Sequence, residues 1–445
     1  MSPSLPPPPL RVLISGAGIA GPALALHLTR LPPPLKCVIT VVERHPTLRN
    51  NGQQIDLRGQ GVDSMRKLHM EPAVRALIVH EPGLRLLDRR GRLQAYLAGN
   101  KSGKGAQSFS AEWEIMRGDL CQLLHDATKD LEGVRYEFGK AVERIEQDGE
   151  GKAPATVTFS DGTVGEYDLV VGCDGLSSRV RRRMFTDGRP DGVVPVGMWT
   201  SYYTIPPEEG DTDDATWCHY PGGRFVMTRR DRPDCRRVYL AYSGKDESIL
   251  RRLKHGTLAE QKEAWADVFR PDQMDAHGIK RYLDGLHSAH AEDFYSVEFA
   301  QVKLDSWSSG RATLVGDAGY CPAPLTGMGT SLALAGAYVL AGEIARGCGK
   351  VREEGQNPWD AIPAALAAYE KTLRPFVTDV QNVPTKRIVS ILTPQSNWAI
   401  SLLRWILWFV TATKIDQLAG RFGSDDRGGW QLPDYPELVV PKEEE

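Results

Sequence analysis

The chain has 445 residues, 41% hydrophobic and 25% charged, a balance that fits a soluble globular protein and excludes extensive disorder. Lys and Arg number 54 against 57 Asp and Glu, giving a net charge of −3, so no global field draws the chain to nucleic acid or acidic lipid. The length exceeds what one hydrophobic core fills and predicts two lobes.

Residues 1–10 read as a loose proline-rich leader without the basic flank and long apolar run of a signal peptide. Arg11 to Ser15 is a short β-branched and aliphatic run, a buried parallel strand that stops at Gly16. Pro22 then stands in the first turn of a helix, where its missing N–H costs nothing, and Pro32 to Pro34 end that helix. Cys37 to Val42 is the second strand and delivers Glu43 at its carboxyl end, completing a βαβ unit. Glu114 to Lys129 has the spacing of an amphipathic helix with Arg117 near its start. Tyr136 to Phe159 reads as short strands around a polar turn at 148–151, and Tyr167 to Gly172 as a buried strand ending in Cys173-Asp174-Gly175. Val193 to Gly244 is rich in Val, Tyr, Trp and Thr and broken by Pro and Gly, the texture of antiparallel sheet. Leu258 to Phe269 is helical, Ala312 to Val315 returns to parallel strand, and Thr330 to Arg346 is a small-residue helix. Trp398 to Thr413 is apolar but short of the roughly 20 residues a bilayer span needs. It predicts a helix packed across the protein's own lobes, with a helix lying in a membrane interface as the other reading.

The seven cysteines are scattered without a CxxC pair, which predicts a reducing, cytoplasmic setting and no metal site. In Gly16-Ala17-Gly18-Ile19-Ala20-Gly21 the first glycine permits a tight turn, the second lets backbone approach a diphosphate, and the third allows close helix packing. Glu43 follows Gly21 by 22 positions, the reach of a carboxylate that accepts from a ribose. Arg117 suits bidentate contact with phosphate oxygens. Asp174 is either a ligand-edge acid or the cap of a helix that begins near Ser177. Arg179, Arg181, Arg182 and Arg183 form a basic cluster, either a phosphate receiver for a nicotinamide cofactor or a solvated run. Asp317 precedes Pro322, Pro324, Gly327 and Gly329, a stiff then permissive loop that can press backbone N–H groups against a flat ring at the start of the next helix.

On the GxGxxG with Glu43, Arg117-Gly118-Asp119-Leu120, Cys173-Asp174-Gly175, and Gly316-Asp317 with Pro322 to Gly329, the chain resembles the class A FAD-dependent aromatic hydroxylases. These are the p-hydroxybenzoate hydroxylase-like monooxygenases, and the look is closest to their tetracycline-modifying and polyketide-tailoring members. The resemblance implies an α/β fold: a Rossmann-like FAD-binding lobe with parallel sheet, an antiparallel-sheet substrate lobe, and a C-terminal bridging helix. It implies that Gly16, Gly18, Ala20, Gly21, Glu43, Arg44, Arg117, Asp174, Gly175, Asp317, Pro324, Gly327, Met328 and Gly329 bind FAD. Asp174 would also serve the nicotinamide cofactor. Gln54 to Gly59 is similar to a segment that approaches the flavin in such relatives, which makes Arg58 a candidate catalytic residue. Gly319, Tyr320 and Ser331 depart from residues that many relatives carry, His after Gly-Asp-Ala-Ala and Asn before the final helix.

The expected chemistry is carried by the flavin: NADPH or NADH reduces FAD, O₂ adds at C4a, and the hydroperoxide passes one oxygen to a phenolic or polycyclic, polyketide-like small molecule, most simply as hydroxylation. Trp199, Tyr202, Tyr203, Trp217, His219 and Arg224 are the substrate candidates on the antiparallel lobe, and His219 is also a candidate base. The expected division places FAD binding in 11–90, 112–190 and 290–375, substrate binding in 91–111 and 191–289, and a helical segment in 376–445. A flavin-dependent reductase or halogenase is the nearest alternative, although no WxWxIP is present. A non-catalytic binding protein on the same scaffold is the second.

Overall fold

The computed structural model describes residues 7–49, 52–79, 81–99, 113–148, 151–185, 188, 190–230, 232–272, 278–413 and 429–438. Most of the expected leader, two positions of the polar turn at 148–151, residues 101–111 of the expected substrate lobe, and 414–428 and 439–445 of the C-terminal segment lie outside the described residues.

A six-stranded sheet runs in the order Ser308–Ser309, Ala312–Leu314, Leu169–Gly172, Leu10–Ser15, Cys37–Glu43, Val134–Phe138. All its pairings are parallel except the short Ser308–Ser309 hairpin strand. Its central strands are fully buried aliphatic runs, as a sheet covered on both faces requires. Register aligns the strand ends: Ser15 lies opposite both Gly172 and Val42, and Gly172 lies opposite Leu314. The residues after Ser15, Gly172 and Leu314 therefore emerge in one row at the carboxyl edge, together with Glu43.

The helix Ala20–Leu28 and the helix Gly329–Glu353 cover one face of this sheet. The second is longer at both ends than its sequence pattern suggests, and sixteen of its residues are buried. Its small residues let neighbours approach: a Cβ on Gly336 would stand 1.9 Å from the Tyr320 hydroxyl, and one on Gly342 would stand 2.3 Å from the Tyr435 ring.

A seven-stranded sheet has the order Tyr295–Val302, Val193–Ile205, Arg236–Tyr242, Arg224–Arg229, Ala215–Tyr220, Gly83–Leu87, Leu93–Ala98, antiparallel apart from the parallel pairing of Ala215–Tyr220 with Gly83–Leu87. One face packs on the helices Glu247–His255, Leu258–Phe269 and Ile279–Leu286 through Trp199, Tyr203, Val226, Val238 and Leu240. The other face carries Met198, Tyr202, Phe225, Tyr239 and Phe299.

Four expectations are corrected. Glu114–Met116 is a strand, and the helix starts only at Arg117, because Glu114–Met116 pairs with Gln54–Asp56 and that pairing overrides the helical spacing. The strands Gly83–Leu87 and Tyr295–Val302 belong to the antiparallel sheet although each falls on the other side of the expected lobe boundary, since hydrogen bonding follows the sheet and not chain order. In the C-terminal segment the helix Ile362–Gln381 runs across 375/376, and residues 429–438 return to both helices, Trp430 stacking on Phe376 of this helix and Tyr435 packing on Tyr338 of the long one. Finally, among the described residues the helix Asn397–Thr413 has its main packing on the antiparallel sheet. It rests on Leu93–Ala98 and Ala215–Tyr220, Arg404 donates to the Leu87 carbonyl, and Trp398, Trp405 and Trp408 are 73%, 59% and 52% exposed. No helix among the described residues is long and apolar enough to cross a membrane.

Candidate functional site

Between the carboxyl edge of the parallel sheet and the free face of the antiparallel sheet lies a cleft of about 500 Å³, within the range of small-molecule and cofactor sites. The two distant turns meet here: Gly16 and Gly18 from the first strand, and Asp317 from the end of the sheet, line the same cavity.

The turn is built by backbone geometry. Gly16 has φ +114°, and a Cβ there would stand 2.4 Å from the Cys173 carbonyl oxygen; a Cβ on Gly21 would stand 2.1 Å from the Gly16 oxygen. Both positions exclude side chains for packing reasons. At Gly18 the only neighbour of an added Cβ within 4 Å among the described residues is Arg117 Nη2, at 3.6 Å, so this glycine leaves room beside a guanidinium. That open cradle suits a diphosphate, which needs close backbone approach and positive charge. Glu43 is held by two backbone donors, Ala17 N–H to Oε2 at 3.1 Å and His45 N–H to Oε1 at 3.0 Å, and each oxygen keeps a lone pair for a ligand hydroxyl.

Asp317 faces the open cleft and is ringed by protein on its other sides. Burial raises its pKa, against the pull of Arg117. After it, Ala323 and Gly327 take positive φ (72° and 64°) and fold Pro324–Thr326 into a tight turn that delivers Gly329 and Thr330 to the cleft at the start of the long helix. Ser331 ties this helix to the neighbouring loop by accepting from the Arg58 N–H at 3.1 Å and donating to the Arg58 carbonyl at 3.0 Å. Tyr320 is equally structural, its hydroxyl 2.9 Å from that of Tyr369. Two of the departures from the familiar pattern are therefore packing partners.

Of the expected cofactor residues, Gly16, Gly18, Ala20, Glu43, Arg44, Arg117, Asp174, Gly175, Asp317, Pro324, Gly327 and Gly329 line the cleft. Gly21 and Met328 serve packing instead, Met328 against the main core. Asp174 reaches the cleft but works as a cap: Oδ1 accepts from Ser178 Oγ at 2.5 Å and Oδ2 from the Arg179 and Val180 N–H groups. In the basic cluster Arg181 turns inward, 2% exposed, to Asp191 and the carbonyls of Leu176 and Ala318, whereas Arg179 lines the cleft.

The substrate candidates divide by strand parity. Tyr202 and Trp217 line the cleft, and Tyr202 stacks on Tyr295. Trp199 and Tyr203 point to the opposite face, where the Tyr203 hydroxyl donates to the Tyr282 carbonyl. Arg224 is committed to Asp272 and to the carbonyls of Pro221 and Val268. His219 lies behind Trp217 and Phe225, outside the cleft lining, with Nε2 donating to the Leu392 carbonyl; burial, aided by Arg404, lowers its pKa to about 4. Arg58 is paired with Asp56 at 2.6 Å, and it is Asp56 that lines the cleft. Sequence reasoning missed Arg229 and Glu114, a buried guanidinium and carboxyl in contact in the cleft wall, because nothing in a strand's residue types marks a buried arginine before its neighbours are known.

A family model described as FAD binding domain matches residues 9–380. The flavin-dependent monooxygenase eupH of Phoma sp is 40% identical over 96% of this chain and 98% of its own length. The FAD-dependent monooxygenase asL4 of Sarocladium schorii is 37% identical over 97% of this chain and 99% of its own. Among solved structures, that of the tetracycline destructase Tet(51) aligns with a TM-score of 0.72 at 27% identity, covering 96% of this chain and 99% of that one.

Proposed function

The chain belongs to the FAD-binding-domain family and is an FAD-dependent monooxygenase, and we propose that it uses NADPH, or NADH, and O₂ to hydroxylate a phenolic or polycyclic small molecule in the cleft. One observation carries this reading: the phosphate-type turn, Glu43, Arg117 and Asp317 share a single cavity with an aromatic wall of Tyr202, Trp217, Phe225 and Tyr239.

The open cradle at Gly18 fits a diphosphate, with Arg117 as its cation and Glu43 on the adenosine ribose. Asp317 would take the ribityl side, and Pro324 to Gly329 would hold the flat ring. Bound FAD supplies electron transfer and oxygen activation. The protein's part is to hold the substrate against that ring and keep water out with apolar side chains such as Met198, Phe225 and Phe299. Arg179, at the rim, is the basic-cluster residue best placed to meet the nicotinamide cofactor's phosphates. We assign the substrate lobe to 83–98 and 193–302, following sheet membership. All seven cysteines are free, which supports a reducing, cytoplasmic location.

The test is direct: purified protein shows flavin absorbance, oxidises NADPH faster when an aromatic substrate is added, and places one atom of labelled O₂ in the product. Incorporation of no labelled oxygen refutes the reading.

A further inference from the structure

Glu114 and Arg229 in the cleft wall and Glu81 behind them put two carboxyl groups against one guanidinium, all buried. Arg229 donates to Glu81 through Nε (3.0 Å to Oε1) and Nη2 (2.5 Å to Oε2), and its Nη2 also reaches Glu114 Oε1 at 2.5 Å. Glu81 has the two-point contact with the guanidinium. Glu114, 1% exposed, has a one-point contact, and its Oε2 makes no hydrogen bond among the described residues. Across the two-stranded ribbon Asp56 lies opposite Glu114, and it is neutralised by Arg58. Pairing Asp56 with Arg58 and Glu81 with Arg229 leaves Glu114 without a counter-charge of its own, and a buried carboxylate in that position holds a proton. Burial, reinforced by Asp56 and Glu81 and opposed by Arg229, raises its pKa to about 7. On the same ribbon Gln54, 6% exposed, leaves both amide atoms without a partner, although it too lines the cleft. Three unsatisfied polar atoms in the cleft wall are costly in the folded protein alone and are met when a ligand supplies their partners.

We propose that Glu114 serves as a neutral carboxyl whose O–H binds a carbonyl oxygen carried on the substrate's ring, with the Gln54 amide completing this polar edge. The inference rests on the aromatic-substrate reading above and deepens it: the enzyme selects oxygenated rings over bare hydrocarbons of the same shape. Glu114 keeps its proton during binding, so no bond is broken and charge is conserved.

The experiment uses the FAD-loaded enzyme, wild type, E114Q and E114A, with xanthone and its carbonyl-free counterpart xanthene as probes, read by perturbation of flavin absorbance. Wild type is expected to prefer xanthone by about tenfold, the value of one hydrogen bond to a buried group. E114A loses that preference. E114Q, which still offers an N–H donor, retains it. The wild-type preference declines as pH rises through about 7, where Glu114 ionises, and the E114Q preference does not. Infrared spectra without any probe show a protonated-carboxyl band at pH 6 to 7 that E114Q lacks. An unchanged preference in E114A, or the absence of that band, overturns the inference. If neither probe perturbs the flavin, the aromatic-substrate reading fails, and the infrared band still decides the protonation of Glu114.

Discussion

The Ala17 N–H donates to Glu43 Oε2 at 3.1 Å, which binds the acid at the end of the second strand to the turn after the first. Each residue fixes the other's position. Glu43→Ala removes this brace and an acceptor for the ribose, and should weaken FAD binding by ~1 to 3 kcal/mol, roughly 5- to 150-fold. Flavin fluorescence during titration of the apoprotein measures it, and Glu43→Gln, which keeps one acceptor oxygen, should lose less.

Gly16 and Gly18 should fail differently. Gly16→Ala forces a Cβ to 2.4 Å from the Cys173 carbonyl at φ +114°, so soluble expression and thermal stability should drop. Gly18→Val should leave the fold intact, because within 4 Å an added Cβ meets, among the described residues, only Arg117 Nη2 at 3.6 Å, while abolishing flavin retention. Circular dichroism beside flavin content separates the two; equal unfolding in both would contradict the cradle.

Neighbouring tyrosines give a second contrast. Trp217→Ala and Tyr202→Ala should raise the substrate KM, since both side chains line the cleft. Tyr203→Phe should leave KM unchanged and lower stability by about 1 kcal/mol through loss of its hydrogen bond to the Tyr282 carbonyl. Steady-state kinetics and denaturant unfolding on the same preparations check this.

Histidine burial sets an acid limit. His219 is held neutral, its pKa lowered by burial to about 4, and His27 likewise to about 3. Both bind protons near pH 6.5 once unfolded, so the unfolded chain takes up more protons and stability falls as pH drops below 6.5, by up to about 1.4 kcal/mol per pH unit for each histidine. For His219 the loss is complete near pH 4. His219→Gln, which can still donate to the Leu392 carbonyl, should flatten part of this slope between pH 6.5 and 4. Urea midpoints across that range are the measure, and parallel curves for variant and wild type would count against a neutral buried imidazole.

Much of the cofactor side was legible without coordinates. Gly16, Gly18, Glu43 and Asp317 sit in short patterns whose spacing states a geometric need: positive φ, close backbone approach, and an acid at a strand end. Aliphatic runs around them could only be buried parallel strands. Asp174 shows the limit, because the residue type fits both a ligand contact and a helix cap, and the Ser178, Arg179 and Val180 bonds settle what its oxygens touch. The Glu114–Met116 strand was hidden for a related reason: its partner Gln54–Asp56 lies some sixty residues away, and local spacing carries no trace of it.

Sequence by itself thus determined the α/β class, the paired turns and the kind of cofactor, since these depend on backbone conformations and charges that neighbouring residues dictate. The tertiary structure alone decided which aromatic side chains line the cleft. Successive residues on a strand face opposite sides, and only the packing of each face shows that Tyr202 turns to the cleft and Tyr203 to the helices. It also decided that Arg181 is structural and that Glu114 lacks its own counter-charge, because burial and pairing are properties of the assembled chain.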